Sequence, residues 1–214
     1  MVDKKKLADI RGKYSENELN KLNIDKDPFN QFSLWMDEVL KMNIIEPNAM
    51  VLSTSDENNF PSSRVVLLKE VKEGEFIFYT NYESKKGHDL SVNPRASLLF
   101  YWRELGRQIR ISGSVKKTTK EESENYFVSR PYESQISAWA SRQSSTIPGR
   151  KFLVDKFEEI KAKYKKEVPL PSFWGGYKLS PISFEFWQGR ENRLHDRIIY
   201  IREKSEWKTE RLSP

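Results

Sequence analysis

The chain has 214 residues, and its 37 Lys and Arg outnumber its 31 Asp and Glu, giving a net charge of +6; that length suits one or two domains with a sizeable core. Its 6 Trp, 9 Tyr and 12 Phe argue against a disordered chain. The absence of Cys excludes disulfides and thiolate chemistry, and two His are too few for a multi-histidine site, so we predict no metal and chemistry borrowed from an organic cofactor.

The N-terminal segment, residues 1–26, is polar and rich in Lys, and we predict a flexible arm that precedes a single domain at residues 27–214. No segment has the apolar length of a signal peptide or a membrane span, so we expect a cytoplasmic protein. The excess positive charge favours an anionic partner, such as nucleic acid, a membrane surface or phosphorylated small molecules.

Helix and strand signals follow the arm. Asp27-Pro28 is a typical helix start, and apolar residues at helical spacing predict a helix over 28–43. Alternating segments bounded by turn residues predict strands at 49–55, 63–69, 75–80, 96–102, 108–116, 174–179, 182–187, 197–202 and near Trp207. Helices are predicted at 84–92, 119–130, 134–142 and 149–166, the last burying Phe152, Phe157 and Ile160.

The order of these elements predicts the fold class. The first three strands resemble a meander, and the alternation in 182–187 places Ile182, Phe184 and Phe186 on one face. Antiparallel hairpins with short helices between them predict a mainly β fold, a barrel of six to eight strands with peripheral helices. The chain has neither G-x-G-x-x-G nor G-x-x-x-x-G-K-[ST], so side chains and barrel edges must hold any nucleotide.

Two segments place cationic side chains at the ends of a strand or at the start of a helix. Arg64 and Lys69 stand at the two ends of an apolar strand, where each can reach a phosphate, although solvated strand ends explain them more simply. Residues 79–86 lead from a strand into a helix start that carries Lys85 and Lys86, which suits a phosphate, although a helix cap with exposed lysines is the simpler explanation. His88, on the same helix, is predicted to be a surface or packing residue.

Two later segments carry more side chains that could bind a ligand or act in catalysis. Tyr126, Arg130 and Ser134 would make a phosphomonoester clamp, and a capped helix–turn–helix is an equally good explanation. Arg193, His195 and Arg197 alternate, so an extended chain would present all three on one side, which is unfavourable unless an anion or electron-rich ligand lies there. Neighbouring cations predict a lowered pKa for His195. An exposed basic hairpin is the alternative.

Taken in order, these segments resemble the pyridoxamine/pyridoxine 5′-phosphate oxidase family, flavin enzymes that make pyridoxal 5′-phosphate. The resemblance runs from about Asp27 to Pro214. It is carried by RVVLLK at 64–69, FYTN at 78–81, NPRASLLF at 93–100, SRP at 129–131, SQI at 134–136, AWAS at 138–141, QSS at 143–145, VPLPSFWGG at 168–176, FWQG at 186–189 and RLHDR at 193–197. Motifs of this length in this order are highly specific.

The resemblance implies an FMN-binding split β-barrel that works as a homodimer, with FMN between the subunits. It implies FMN contacts from Arg64, Val65, Val66, Leu67, Leu68, Lys69, Tyr79, Thr80, Lys85, Lys86, Gln108, Gln143, Ser144, Trp187 and Arg197. The substrate phosphate would meet Lys69, Tyr126, Arg130 and Ser134. Arg193 and His195 would be the catalytic pair that holds the pyridine ring, and Arg11 and Tyr14 in the arm would close over the site.

The activity implied is oxidation of pyridoxamine or pyridoxine 5′-phosphate to pyridoxal 5′-phosphate with O2, releasing hydrogen peroxide and, from the amine, ammonia. Two phosphates in one cleft explain the positive charge, so neither nucleic acid nor membrane is expected as a partner. Lys85 departs from the family, which commonly has Arg there, and Arg190 stands where a smaller residue is common. The alternatives are a split-barrel FMN oxidoreductase with another substrate, for example in secondary metabolism, and a non-catalytic flavin- or nucleic-acid-binding protein.

Overall fold

The computed structural model describes residues 18–214. Their contacts divide into two units, the first formed by residues 18–47, 100–110 and 183–214 and the second by residues 48–99 and 111–182. Within residues 18–214 the α-helices are α1 Pro28–Leu40, α2 Lys85–Val92, α3 Lys120–Ser129, α4 Tyr132–Ala140 and α5 Arg150–Lys163. The strands are β1 Ala49–Ser55, β2 Pro61–Leu67, β3 Glu70–Lys72, β4 Glu75–Asn81, β5 Arg95–Trp102, β6 Arg107–Lys117, β7 Trp174–Gln188, β8 Asp196–Glu203 and β9 Glu206–Arg211. No helix in this part of the chain is both long and apolar enough to cross a membrane.

Local sequence signals set most of these boundaries. The Asp27 carboxylate caps α1 by accepting a hydrogen bond from the Phe29 N–H at 2.9 Å, and Pro28 occupies the first turn. At α3, Thr119 and Glu122 form the reciprocal hydrogen bonds of a capping box. The predicted helix over 28–43 ends three residues earlier, because residues 41–43 form a turn.

In the second unit, β1 with β2, β1 with β5, β3 with β4 and β4 with β7 all pair antiparallel. β1 pairs with β2 along its whole length, from Ala49 opposite Leu67 to Ser55 opposite Pro61, and on its other side with β5. β4 pairs with β3 and with the first part of β7, from Phe76 opposite Leu179 to Asn81 opposite Trp174. The predicted meander of the first three strands is therefore confirmed for the β1–β2 hairpin and wrong for the third strand, since β4 does not pair with β2. A strand as buried as β4 needs a partner on both sides, and the distant β7 supplies one.

In the first unit, aromatic side chains of α1 pack on the second part of β7. Trp35 lies edge-on to Phe186 with ring centroids 5.2 Å apart, and Phe29 lies edge-on to Phe184 at 5.1 Å. This part of β7 pairs with β8, which pairs with β9. The two strands predicted at 174–179 and 182–187 are one strand, and Pro181, which has no N–H to donate, lies where β7 changes partner. Ile182, which the alternation places on one face with Phe184 and Phe186, is 58% exposed, whereas both phenylalanines are fully buried.

The helices of the second unit enclose a separate apolar cluster of Phe127, Ile136, Val168 and Trp174. Phe157 and Ile160 of α5 pack against this cluster. None of the α5 residues is fully buried, so the prediction that Phe152, Phe157 and Ile160 are buried holds only in part. This cluster supports the ends of α3 and α4, where the predicted clamp residues lie.

Replacing Trp35 by Ala should lower the free energy of unfolding by about 3–5 kcal/mol, the usual effect of removing a large buried aromatic side chain. Trp35 is 4% exposed, whereas its neighbour Leu34 is 53% exposed. Leu34→Ala is the matched control and should change the free energy by about 0.5 kcal/mol or less. Urea unfolding followed by circular dichroism measures both, and equal losses would contradict the packing of α1 described above.

Candidate functional site

A cavity of about 940 Å³ opens in the second unit. β2, β4, α2, the junction of α3 and α4, and the loop after α4 all contribute to its wall. The predicted residues that line it are Arg64, Val65, Val66, Leu67, Lys69, Tyr79, Thr80, Lys85, Lys86, Tyr126, Arg130, Ser134, Gln143 and Ser144. Leu68 is not among the lining residues, and its side chain is buried. Three segments far apart in sequence therefore converge on one cavity, as the clusters in the sequence predict.

Arg64 is held in place before any ligand arrives. Its Nη1 donates to the backbone oxygen of Leu52 at 3.0 Å and to Thr54 Oγ1 at 2.8 Å, and its Nη2 donates to Ser62 Oγ at 2.6 Å. Burial lowers the pKa of Arg64, although the charge of Asp89 partly offsets that effect. A guanidinium fixed by three neutral acceptors remains charged and is poised to meet an anion.

Lys86 is a buried cation surrounded by neutral oxygen atoms. Its Nζ donates to Gln143 Oε1 at 2.8 Å and to Thr80 Oγ1 and Ser84 Oγ at 3.1 Å each. None of the ion pairs among residues 18–214 involves Lys86. Burial, followed by the charge of Arg64, lowers the pKa of Lys86 to about 8. Such a cation is stabilised when an anion binds beside it.

Arg130 belongs to the other predicted cluster, the clamp formed with Tyr126 and Ser134. Its guanidinium lies 4.7 Å from the centroid of the Trp174 ring, and Trp174 belongs to a stack with Tyr79 and Tyr126. The Tyr79 and Tyr126 rings are 3.9 Å apart and nearly parallel. Within residues 18–214, Arg130 Nη1 is the buried side-chain nitrogen that lacks a hydrogen-bond partner. A buried unpaired donor on a charged group is costly unless a ligand accepts from it.

The remaining predicted residues of the described chain belong to the first unit: Gln108, Trp187, Arg193, His195 and Arg197. The His195 and Trp187 rings have centroids 4.6 Å apart. His195 Nδ1 accepts a hydrogen bond from the backbone N–H of Arg190 at 3.0 Å, so the neutral imidazole carries its proton on Nε2. Burial lowers the pKa of His195, and the charge of Arg193 adds to that effect. The direction agrees with the sequence prediction, but burial is the larger cause.

The segment from Arg193 to Arg197 is not extended, which contradicts the prediction that its three cationic positions face one side. Residues 191–193 form a 3₁₀ turn in which Asn192 and Arg193 have φ of 54° and 61°. β8 starts only at Asp196. Non-glycine residues with positive φ are uncommon and often occur where a side chain is aimed at a ligand. Ser144, on the cavity wall of the second unit, has a φ of 72°.

Arg190 and Arg197 are fixed by carboxylates of the first unit. The Arg190 guanidinium lies 3.2 Å from Glu18 Oε1 and 3.8 Å from Asp196 Oδ2. Arg197 donates through both Nε and Nη2 to Glu185 Oε1 at 2.8 Å, and its Nη1 donates to the Ser213 backbone oxygen. Arg190 therefore serves the loop twice, since its backbone orients His195 and its side chain binds two acids.

Several residues that support the site are not among those predicted from the sequence. Thr54 and Ser62 hold Arg64, Asp89 lies 3.7 Å from it, Trp174 stacks under Arg130, and Glu185 holds Arg197. Only Trp174 stood within a motif that indicated the site. Ser62 lies two residues before Arg64 on β2, whereas Thr54, Asp89 and Glu185 act from elements other than those of the arginines they contact. Arg11 and Tyr14 lie outside the described residues. His88 is exposed on α2, as predicted.

The donor set fits a phosphorylated flavin together with a second anion. Arg64 and Lys86 provide a preorganised cationic end, and Arg130 provides a second, unpaired donor in the same cavity. Within residues 18–214 no group of three or more His, Asp or Glu side chains is arranged to hold a metal ion. Aromatic and apolar side chains line the same cavity, among them Tyr79, Trp174 and Val66, and such a lining suits a planar ring system.

Family models and named relatives of this chain all indicate the same family. Residues 36–164 match the family described as pyridoxamine 5′-phosphate oxidase, and residues 174–214 match the pyridoxine 5′-phosphate oxidase C-terminal dimerisation region. Relatives from Burkholderia thailandensis and Burkholderia mallei, both named pyridoxine/pyridoxamine 5′-phosphate oxidase, are 50% identical over 211 residues, covering 97% of this chain and 99% of each relative.

Solved structures share the fold. PhzG from Burkholderia lata, in complex with tetrahydrophenazine-1-carboxylic acid, has a TM-score of 0.88 and 30% identity over 95% of this chain and 100% of its own. An FMN-binding protein related to pyridoxamine 5′-phosphate oxidase from Nostoc punctiforme has a TM-score of 0.70 at 15% identity, covering 88% and 98% of the two chains, and shows the fold alone. The predicted antiparallel split β-barrel with helices is confirmed. With a family model matching more than half of its length and half-identical relatives along nearly all of it, the chain belongs to the pyridoxamine 5′-phosphate oxidase family.

Proposed function

We propose that this protein uses FMN and O2 to oxidise pyridoxamine or pyridoxine 5′-phosphate to pyridoxal 5′-phosphate, within vitamin B6 metabolism. The observation that carries the proposal is that one cavity contains two cationic side chains, each placed to bind an anion. Buried Lys86 has only neutral partners, and Arg130 Nη1 has no hydrogen-bond partner within the described chain. A phosphorylated cofactor and a phosphorylated substrate would supply both missing acceptors.

The FMN phosphate is assigned to the end of the cavity formed by Arg64 and Lys86, with Thr80, Gln143 and Ser144 beside them. The substrate phosphate is assigned to Arg130, with Tyr126, Ser134 and Lys69. Bound FMN would accept the hydride from the substrate C4′ carbon and pass the electrons to O2, giving hydrogen peroxide. The imine formed from the amine substrate is then hydrolysed by water to the aldehyde and ammonia.

Arg193 and His195 are proposed to hold the pyridine ring. Because Nδ1 of His195 already accepts from the Arg190 N–H, its Nε2–H is the donor that can bind an oxygen substituent of the substrate. The lowered pKa keeps the imidazole neutral near pH 7, so that it does not repel Arg193. The resemblance assigns Gln108, Trp187 and Arg197 to the same FMN, and Arg11 and Tyr14 to a cover over the substrate.

The C-terminal match to a dimerisation region supports a homodimer, and we propose FMN at its subunit interface. The likeness to PhzG favours one other candidate, the oxidation of a tricyclic carboxylic acid. Against it stands the clamp around Arg130, which suits a phosphomonoester better than a carboxylate because tyrosine and serine hydroxyls stand beside the guanidinium.

The phosphate group of the substrate should determine how efficiently a compound is oxidised. With FMN-loaded protein, we expect kcat/KM for pyridoxine 5′-phosphate to exceed that for pyridoxine by about 100-fold or more, since several charge-assisted hydrogen bonds are lost with the phosphate. Arg130→Met should remove most of this preference while FMN remains bound. Aldehyde formation followed by absorbance measures both, and a protein that oxidises the reduced phenazine acid but neither B6 phosphate would overturn the proposal.

Arg193→Ala should lose most of the turnover but retain FMN, because its role is toward the pyridine ring. The measurement is kcat together with the flavin content of the purified variant. Arg190→Ala is the matched neighbour: its backbone N–H still orients His195, so its loss of kcat should be much smaller. Turnover at the wild-type level in Arg193→Ala would remove that residue from the site.

FMN affinity should fall as the pH rises through about 8, where the buried Lys86 loses its proton. Above about pH 7 the phosphate is fully ionised, and the charged amine favours it, so affinity is constant from there up to about pH 8 and declines above it by at most about tenfold per pH unit. Fluorescence titration of the apoprotein between about pH 7 and 10 measures this. Lys86→Met should abolish the inflection and Lys85→Met should keep it; an inflection that survives in Lys86→Met would contradict the assignment.

A further inference from the structure

Asp89 is a buried carboxylate with no assigned role. It lies on α2, one turn beyond Lys85, and its side chain is 1% exposed. Its Oδ2 accepts a hydrogen bond from Thr54 Oγ1 at 2.7 Å and lies 3.7 Å from Arg64 Nη2. Its Oδ1 accepts from Lys85 Nζ at 2.8 Å. Asp89 does not line the cavity but stands behind two cations that do.

Adjacent lysines of α2 consequently have opposite surroundings. Lys85 is half-exposed and pairs with Asp89 and, at 3.4 Å, with Asp56. Its hydrogen bond to Asp89 raises the pKa of Lys85, whereas burial lowers the pKa of Lys86. The positive charge of Lys85 is thus balanced by neighbouring carboxylates, whereas the positive charge of Lys86 is not.

Holding Arg64 does not require the charge of Asp89. Three neutral acceptors, the Leu52 backbone oxygen and the Thr54 and Ser62 hydroxyls, already fix its guanidinium. What Asp89 adds is a negative charge next to a group of cations that would otherwise repel each other. The same charge weakens the attraction of these cations for any anion in the cavity.

We propose that Asp89 is the internal counter-ion of the phosphate end of this cavity, a positioning residue that keeps Lys85 from the bound FMN phosphate and leaves that phosphate to Arg64 and Lys86. The inference rests on the proposed function, since it takes FMN as the ligand. It also gives the Lys85 departure a physical meaning: at this position the ammonium group is committed to an acid of its own helix.

The test is the affinity of the apoprotein for FMN and for riboflavin, which lacks the phosphate. Asp89→Asn keeps the shape and the hydrogen bond to Thr54 but removes the charge. It should tighten FMN binding by roughly three- to tenfold at low ionic strength, with a smaller gain at high salt, as for one partly screened charge. Riboflavin affinity should not change, and in Lys85→Ala/Asp89→Asn the gain should shrink because the released lysine is missing.

The lysine pair provides the matched control. Lys86→Ala should weaken FMN binding about tenfold more than Lys85→Ala, because only Lys86 is proposed to meet the phosphate. Equal losses, or weaker FMN binding in a folded Asp89→Asn variant, would overturn the inference. If thermal melting shows Asp89→Asn unfolded, the comparison of the two lysines decides alone. A wild-type protein that binds neither flavin would instead overturn the proposed function.

Discussion

Burying several cations in one cavity is the constraint on which the rest of this structure depends. A buried ammonium or guanidinium group is strongly destabilising unless neighbouring dipoles or charges replace its lost hydration. This chain uses both solutions within a few residues: neutral hydroxyls and an amide surround the buried Lys86, and a carboxylate behind the wall lies beside the largely buried Arg64 and pairs with the half-exposed Lys85. The cavity stays positive toward its interior while the protein around it remains stable.

The fold supplies these partners from distant segments. β1 carries Thr54, which reaches both Arg64 of β2 and Asp89 of α2. β4 brings Tyr79 and Thr80 to the wall, and its pairing with β7 sets Thr80 opposite Gly175. Trp174, at the start of β7, stacks with Tyr79 and Tyr126 and underlies Arg130. Strand register therefore links the two cationic ends of the cavity, Lys86 beside Thr80 and Arg130 beside Trp174, through one aromatic stack.

Much of this could be predicted from the sequence because the signals were local. The cap at Asp27, the capping box at Thr119 and the strand alternation set element boundaries to within a few residues. The motifs around Arg64, Lys86 and Arg130 named residues that meet in one cavity. What failed was non-local or conformational: the pairing of β4 with β7, the left-handed φ of Arg193, and the buried acids Asp89 and Glu185. No spacing in the sequence shows which carboxylate will lie behind which cation.

The central claim is that these cations hold a flavin and a B6 phosphate together, close enough to react. The most direct measurement is anaerobic mixing of FMN-loaded protein with pyridoxamine or pyridoxine 5′-phosphate, followed by flavin absorbance. The account predicts that the oxidised flavin band bleaches with either compound and returns when O2 is admitted. A flavin that remains oxidised with both compounds, in a protein that binds FMN, would contradict it.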